Sequence, residues 1–303
     1  MTMTMAQFTA LYDPDIQGLI KDRSMVTPIA DRIVNSGPAT EYVTNIVGMT
    51  GLGLTQTREE GVAVDYTDPV QGYAKAYTQV LFGMGVKFTE RLWSYNKFPE
   101  AMAAARDLGD SAAYSRELAV VNLLNNGFDS GYAGADGKEL FSLIHPLKNV
   151  PGGTEQNELT TTGTALSDTS LNEALYTAAI TVNHSGLKRQ PMMKYLVVPP
   201  QLERTALILT QATEMGRPST GNNDKNFLHS QLEVISTPLL SSTTAWFLLT
   251  DKSGHDLKRL VHREPSVRGA EQDFDSQIIK YAIAYEEVLG HGEWFGTFGA
   301  EGA

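Results

Sequence analysis

The sequence predicts an α+β protein, and three stretches carry that prediction. Ile279, Tyr281, Ile283 and Tyr285 recur at every second position within residues 277–289, the period of a long strand with one buried face. Within residues 97–127, Ala101, Ala105, Leu108, Ala112, Ala119 and Leu123 fall at three- and four-residue steps. That spacing marks one face of a helix about 40 Å long at about 1.5 Å per residue. Residues 41–93 are strand-like and punctuated by glycine, with no evident partner nearby in sequence.

Composition limits what such a chain does. Its 303 residues, 42% of them hydrophobic and 19% charged, suffice for a substantial core and exclude disorder. Length alone allows one large domain or two, and the pattern of elements favours two interleaved units. A net charge of −11 argues against dedicated binding to nucleic acid or anionic membranes, though not against enclosing nucleic acid without gripping it. The absence of cysteine excludes disulfide frameworks, thiolate zinc sites and cysteine nucleophiles. The start of the chain has no basic and apolar signal-peptide pattern, and runs such as Leu118–Leu124 are far short of a membrane span. A cytosolic protein is expected.

Taken in order, residues 1–40 read as an arm broken by Pro14, Pro28, Gly37 and Pro38, with a short helix around Leu11, Ile16, Leu19 and Ile20. Tyr42-Val43, Val62–Val64, Tyr73–Leu81 and Val86–Phe88 read as strands of a long hairpin edged by Arg58, Glu59, Glu60, Asp65 and Asp68. A two-stranded hairpin is marginal alone in water, so it must lie on something, such as another subunit. The helix at 97–127 opens on Pro99-Glu100 and stops at Asn125-Asn126-Gly127; its Gly109 costs about 1 kcal/mol against Ala or marks a bend. Asp136-Gly137 reads as a turn opening a short strand, and His145, before Pro146, as a loop-ordering residue.

Residues 167–262 read as a compact α+β unit. Ser170 through Glu173 fit a capping box, Leu171, Leu175, Ala178 and Val182 form a buried stripe, and Gly186 is the expected stop. Tyr195–Val198 is wholly apolar, as for a strand buried on both faces, and Pro199-Pro200 start a helix with Leu202, Ala206 and Leu209 inward. Leu232–Ile235, Ala245–Leu249 and Leu257–His262 follow as strands, and Trp294, Gly296 and Phe298 close the chain as a last short one.

No constellation reads as an active site. The glycine runs 48–53 and 83–85 lack a phosphate-loop Lys and a following helix, and the six histidines show no metal-binding spacing. Asp65 with Asp68, or Asp273 with Asp275, lie in polar turn segments where a solvated edge or subunit contact is the plainer reading. Lys75 between Tyr73 and Tyr77 is the one basic-aromatic interleaving, and a strand edge explains it. No nucleophile elbow is present, so the expectation is no enzyme, no cofactor and no metal.

Segments running from Asp136–Leu147 through Tyr195–Glu203 to Gly292–Ala300 stand in an order that resembles the major capsid proteins of tailed bacteriophages, including the Mu-like head-subunit type. The carrying residues are Asp136-Gly137-Lys138-Glu139-Leu140-Phe141-Ser142-Leu143-Ile144-His145-Pro146-Leu147, then Gly152-Gly153-Thr154 and Asn157. Leu166–Leu171, Tyr195–Glu203, Gly221–Asp224, Ala245–Leu248 and Gly292–Ala300 follow in the same order. Phe88–Leu92 and Asn122–Phe128 fit upstream, so coverage runs from about Glu41 to the C-terminus.

The resemblance implies the fold shared with herpesvirus capsid floors: an N-terminal arm, an extended β-hairpin loop, a long spine helix, and peripheral and axial domains. By order, the arm is 1–40 and the extended loop with its flanking strands 41–93. A peripheral domain of 94–159 contains the spine helix 97–127, an axial domain covers 160–262, and 263–303 supply the long peripheral strand and C-terminal return. The implied function is self-assembly into hexamers and pentamers of an icosahedral shell around double-stranded phage DNA, built in the bacterial cytoplasm. Portal, scaffolding and cement proteins are the implied partners, with no specific DNA binding and no membrane. Arg58, Glu59, Glu60, Asp65, Asp68, Tyr73, Lys75 and Tyr77 are the expected subunit-interface residues. Some proteins of this fold crosslink Lys to Asn, and Lys75 lies in the corresponding segment without an identifiable acidic catalyst. An encapsulin-like nanocompartment shell is the alternative within the fold; a tail-tube or decoration protein is the alternative outside it, and the long helix speaks against that.

Overall fold

The computed structural model describes residues 5–64, 66, 68, 70–89, 98–159, 164–216, 223–273 and 278–302. The chain opens with helices α1 (Met5–Ser24) and α2 (Ala30–Ile33), then strands β1 (Asn35–Pro38), β2 (Val43–Met49), β3 (Gln71–Thr78) and β4 (Val80–Phe88). Helix α3 (Phe98–Asn125) leads to short strands β5 (His145–Pro146) and β6 (Thr154–Glu155). Helix α4 (Asp168–Ile180), β7 (Met193–Val198), helix α5 (Pro200–Gln211), β8 (Glu214–Gly216), β9 (Asn223–Lys225), β10 (Glu233–Ser236) and β11 (Trp246–Thr250) follow. Strands β12 (Leu257–Asp273), β13 (Ile278–His291) and β14 (Thr297–Ala300) end the chain.

One four-stranded sheet has the order β1-β12-β13-β4. The period-two reading of its long strand is met: Ile279, Tyr281, Ile283 and Tyr285 are all buried. They pack with Phe88, Ile16 and Ile20 of α1, and Ala101, Ala105, Leu108 and Ala112 of α3. The α3 stripe then departs from the expected one. Val120, Val121 and Leu124 are buried, whereas Ala119 and Leu123 are only partly so. A straight helix drifts about 20° per seven residues against a strict heptad, which carries the buried face around α3 and into a second core.

The second sheet, β10-β7-β11-β14, is short, and its central strands are apolar and buried from Tyr195 to Val198 and from Trp246 to Leu249. On one side Tyr195, Val197, Phe247 and Leu249 meet Val121, Leu124 and Phe141. On the other, Leu196, Val198, Trp246 and Leu248 meet Leu171 and Ala178 of α4, Ala206 and Leu209 of α5, and Phe298. Alternate residues thus point into different cores, which is why these strands have no polar face.

Several expectations shift. The N-terminal segment is not a free arm in its helical part: α1 lies on α3, with Ile16 and Ile20 fully buried. Gly109 permits that approach, since a Cβ there would stand 2.6 Å from the Arg23 Cβ and 2.8 Å from the Ile20 carbonyl oxygen. The cap of α4 is Ser167, whose hydroxyl accepts from the Ser170 N–H while the Ser167 N–H donates to the Ser170 hydroxyl. That helix stops at Ile180, and Gly186 takes φ +78° in the following turn. Leu257–His262 opens β12, so it pairs in the long sheet and not with the short one. Gly137 makes the expected turn at φ +79°, but no strand follows it at 140–142.

Candidate assembly interface

β2 and β3 pair antiparallel from Val43 opposite Thr78 to Met49 opposite Gln71, which makes a hairpin. β4 does not continue it, because after Gln79 the chain turns into the long sheet and pairs with β13. Val62–Val64 form no strand. At the crossing of β2 and β3 the register shifts beside Gly48, where Gly72 packs so closely that a Cβ on it would lie 2.7 Å from the Gly48 carbonyl carbon.

Alternation on β3 turns Tyr73, Lys75 and Tyr77 to the same side, against the body of their own subunit. The Tyr77 hydroxyl donates to the His291 carbonyl at 2.6 Å and accepts from the His291 N–H at 3.1 Å, and burial pushes its pKa up to about 12. Lys75 donates to the Ala133 carbonyl and lies 5.2 Å over the Tyr77 ring; burial lowers its pKa, with Asp136 opposing. Tyr73 meets the His184 ring edge-on at 5.5 Å, and Lys148 lies 5.2 Å over its face. Lys148 also donates to the Gly72 carbonyl at 2.7 Å.

Beneath this hairpin the floor is polar and tightly bonded. His184 Nε2 lies 2.9 Å from Glu293 Oε2. His145, fully buried, faces Asp136 Oδ2 at 2.6 Å and Asn157 Oδ1 at 3.0 Å, and stacks on Trp294 at 4.4 Å. Burial pushes the Asp136 carboxyl up, but the hydrogen bond and charge of His145 outweigh it and hold the pKa below its ordinary value. The expected loop-ordering role of His145 is therefore seen in its contacts. Burial, assisted by Lys75, pulls His291 down to about 4.

The loop beyond is the opposite. The Thr50 N–H and hydroxyl both bond the Val70 carbonyl, at 3.1 and 2.7 Å, and close a neck. Past it, Leu52, Leu54, Val62, Val64 and Tyr66 are exposed, Leu54 by 80% and Tyr66 by 92%. Arg58, Glu59, Glu60 and Asp68 are exposed on the same loop, and Asp65 lies outside the described residues. The structure thus divides the seven of the eight expected interface residues that it describes. Tyr73, Lys75 and Tyr77 are spent inside the subunit, where Lys75 has its amine bonded; the loop charges stand free of the body among exposed apolar side chains. Sequence reading missed Leu52, Leu54 and Tyr66, although their large apolar side chains in a glycine-rich polar stretch were the available signal.

A second buried network anchors the peripheral elements. Arg116 of α3, 1% exposed, donates to Glu287 Oε2 at 3.2 Å and to the Ser24 carbonyl at 3.0 Å, with Glu264 at 3.5 Å. Arg259 Nε stands 3.7 Å from the same Glu287 oxygen. Burial raises the Glu287 pKa, with both arginines opposing. Among the described residues there is no group of histidines and carboxylates fit to hold a metal, and no helix long and apolar enough to cross a membrane.

These features agree with comparisons to known proteins. No curated protein matches the chain in sequence. The procapsid of bacteriophage JBD30 is similar in structure, with TM-score 0.54, 15% identity, and 98% of this chain and 75% of that chain covered. The capsid of cyanophage P-SCSP1u has TM-score 0.57 at 11% identity, covering 91% and 88%. A virus-like particle from Pyrococcus furiosus has TM-score 0.54 at 10% identity, covering 96% and 99%. At such identities the likeness is one of fold, which is the tailed-phage capsid fold expected from the segment order. The family model described as phage capsid protein matches residues 72–298, and the chain belongs to that family.

Proposed function

We propose that the chain is the major capsid protein of a tailed phage, assembling as hexamers and pentamers into an icosahedral shell around double-stranded DNA. The observation that carries this reading is the pairing of a rigidly seated hairpin with an exposed apolar loop. Leu52, Leu54, Val62, Val64 and Tyr66 are half or more exposed within one subunit and gain burial between copies. Capsomer rings close by rotation through heterologous contacts, and interfaces of about 2,000–5,000 Å² are the usual scale for obligate assemblies. The net charge of −11 fits a wall that encloses DNA without adhering to it. Portal, scaffolding and cement proteins are the accompanying partners, and assembly takes place in the host cytoplasm.

The purified chain, with a scaffold where needed, is expected to form capsomers or closed shells in negative-stain micrographs. A strictly monomeric 33 kDa species under all assembly conditions contradicts the reading. The second reading within the same fold is a nanocompartment shell, since the fold alone does not fix what a shell encloses. Native particles that hold DNA favour the virion; particles that hold protein and no DNA favour the compartment.

A further inference from the structure

The long sheet ends on two unlike edges. At one side β1, four residues long and ending in Pro38, covers Lys258–Val261 of β12, and register shifts at 261–266 and 268–271 break up the rest of that edge. At the other, β4 runs nine residues in unbroken register with β13, from Val80 opposite Glu287 to Phe88 opposite Ile279. From Val80 to Val86 it carries no charge, no proline and no bulge. Leu81 and Met84 are 63% and 57% exposed, and among the described residues no strand pairs with the outer side of β4. Such an edge is a template for another strand.

The same chain contains a strand-like segment with no strand to join. Val62, Val64 and Tyr66 alternate along the loop, are exposed, and pair with no strand among the described residues; the Val62 N–H closes a turn on the Glu59 carbonyl at 3.3 Å. Resting on the shell reading above, we propose that the segment 62–66 of one copy adds as an antiparallel strand to the β4 edge of a neighbouring copy. The glycines of β4 set the register. Lys87 is the one charged residue of β4, and Glu59 and Glu60 precede the loop segment. With Val64 opposite Gly83, Val62 lies opposite Gly85 and Tyr66 opposite Leu81, while Glu60 stands before the turn at Gly61 (φ +86°), near the Lys87 end of the edge. Gly83 and Gly85 lie beside Ala284 and Ala282 of β13, and a Cβ at Gly83 would meet only the Ile283 carbonyl, at 3.5 Å. The valines therefore cover a shallow floor of small residues. The occupant is a second copy because the chain's own β4 begins at the far end of the hairpin from the Thr50–Val70 neck. That is about 26 Å along the eight residues of β3.

A chain without cysteine allows a direct test. Assembled particles are made from a mixture of two single variants, Val64→Cys and Gly83→Cys, and oxidised. Disulfides need Cα atoms about 4.4–6.8 Å apart, so only residues brought opposite each other join. The expected result is a covalent dimer of the two variants on a non-reducing gel, absent when Gly83→Cys is replaced by Lys87→Cys. In the double variant Val64→Cys/Gly83→Cys the expected product is a ladder of multimers. Normal shells without crosslinks, or crosslinks confined within single chains, overturn the proposal while leaving the shell reading intact. Absence of shells from the unsubstituted chain overturns the shell reading itself. If the variants do not assemble, hydrogen exchange of the unsubstituted chain decides: amides of 62–66 and β4 must become protected on going from subunit to shell, and unchanged exchange refutes strand addition.

Discussion

In the β10-β7-β11-β14 sheet the strands are four to six residues long, and both faces are sealed by the subunit's own side chains. In the β1-β12-β13-β4 sheet the central strands run 17 and 14 residues, one face lies on α1 and α3, and among the described residues no strand covers the β4 edge. The first sheet is finished when the chain folds. The second, with the hairpin it carries, keeps apolar surface exposed, which the proposed assembly buries between copies. The difference separates residues that hold the subunit together from residues proposed to join subunits, and it predicts that the two sets fail differently.

The largest loss of stability is expected in the sealed sheet. Phe247→Ala removes a ring packed at 5.2 Å from Phe141 and should cost about 3–5 kcal/mol, read from the midpoint of urea unfolding. Arg116→Ala, in the long sheet's anchor, leaves Glu287 buried without its main partner and should cost about 3 kcal/mol or more. If that loss were negligible, the buried network would not be what ties α1, α3 and the long sheet together. Gly109→Val should cost about 1–3 kcal/mol by pushing α1 off α3, visible as faster hydrogen exchange in 13–24.

A smaller effect follows from pH. His291 and His255 are pulled down to about 4, chiefly by burial, so both are neutral in the fold and charge on unfolding. Their contribution is complete above about pH 6.5 and is lost as pH falls toward 4, by about 2 kcal/mol each at pH 5 on an order-of-magnitude scale. Glu158, pushed up to about 7 by burial and by Glu301 and Glu139, opposes this, because its folded form binds a proton more readily. It is partly exposed and screened, so the histidines dominate. Melting temperature should be lower at pH 5 than at pH 7, and a reversed order contradicts the assignment.

Much of this was legible in the residues. The alternation at Ile279–Tyr285 gave the long strand, and Tyr195–Val198 gave a strand between two cores, because burial of a strand leaves its mark on neighbouring letters. What was hidden depends on partners far away in sequence. Arg116 reads as an ordinary helical cation, since Glu287 is 171 positions away. Gly109 reads as a flaw in a helix until α1 lies against it. The hairpin residues divided for a similar reason: alternation placed Tyr73, Lys75 and Tyr77 on one side but not which side faced the body. The loop's exposed Leu54 and Tyr66 stood among glycines and charges that masked them.

The smallest effect on folding, and the largest on assembly, is expected from the loop. Replacing residues 52–68 by Gly-Gly keeps the Thr50–Val70 neck and both sheets, so stability should change by no more than about 0.5 kcal/mol. A wider cut through residue 85 would instead remove β3 and most of β4 from the folded subunit. Negative-stain microscopy of the shortened chain, beside its melting curve, tests the division of labour most directly. Intact melting with no shells is the expected result. Shells that form without the loop, or a subunit that no longer folds, would contradict it.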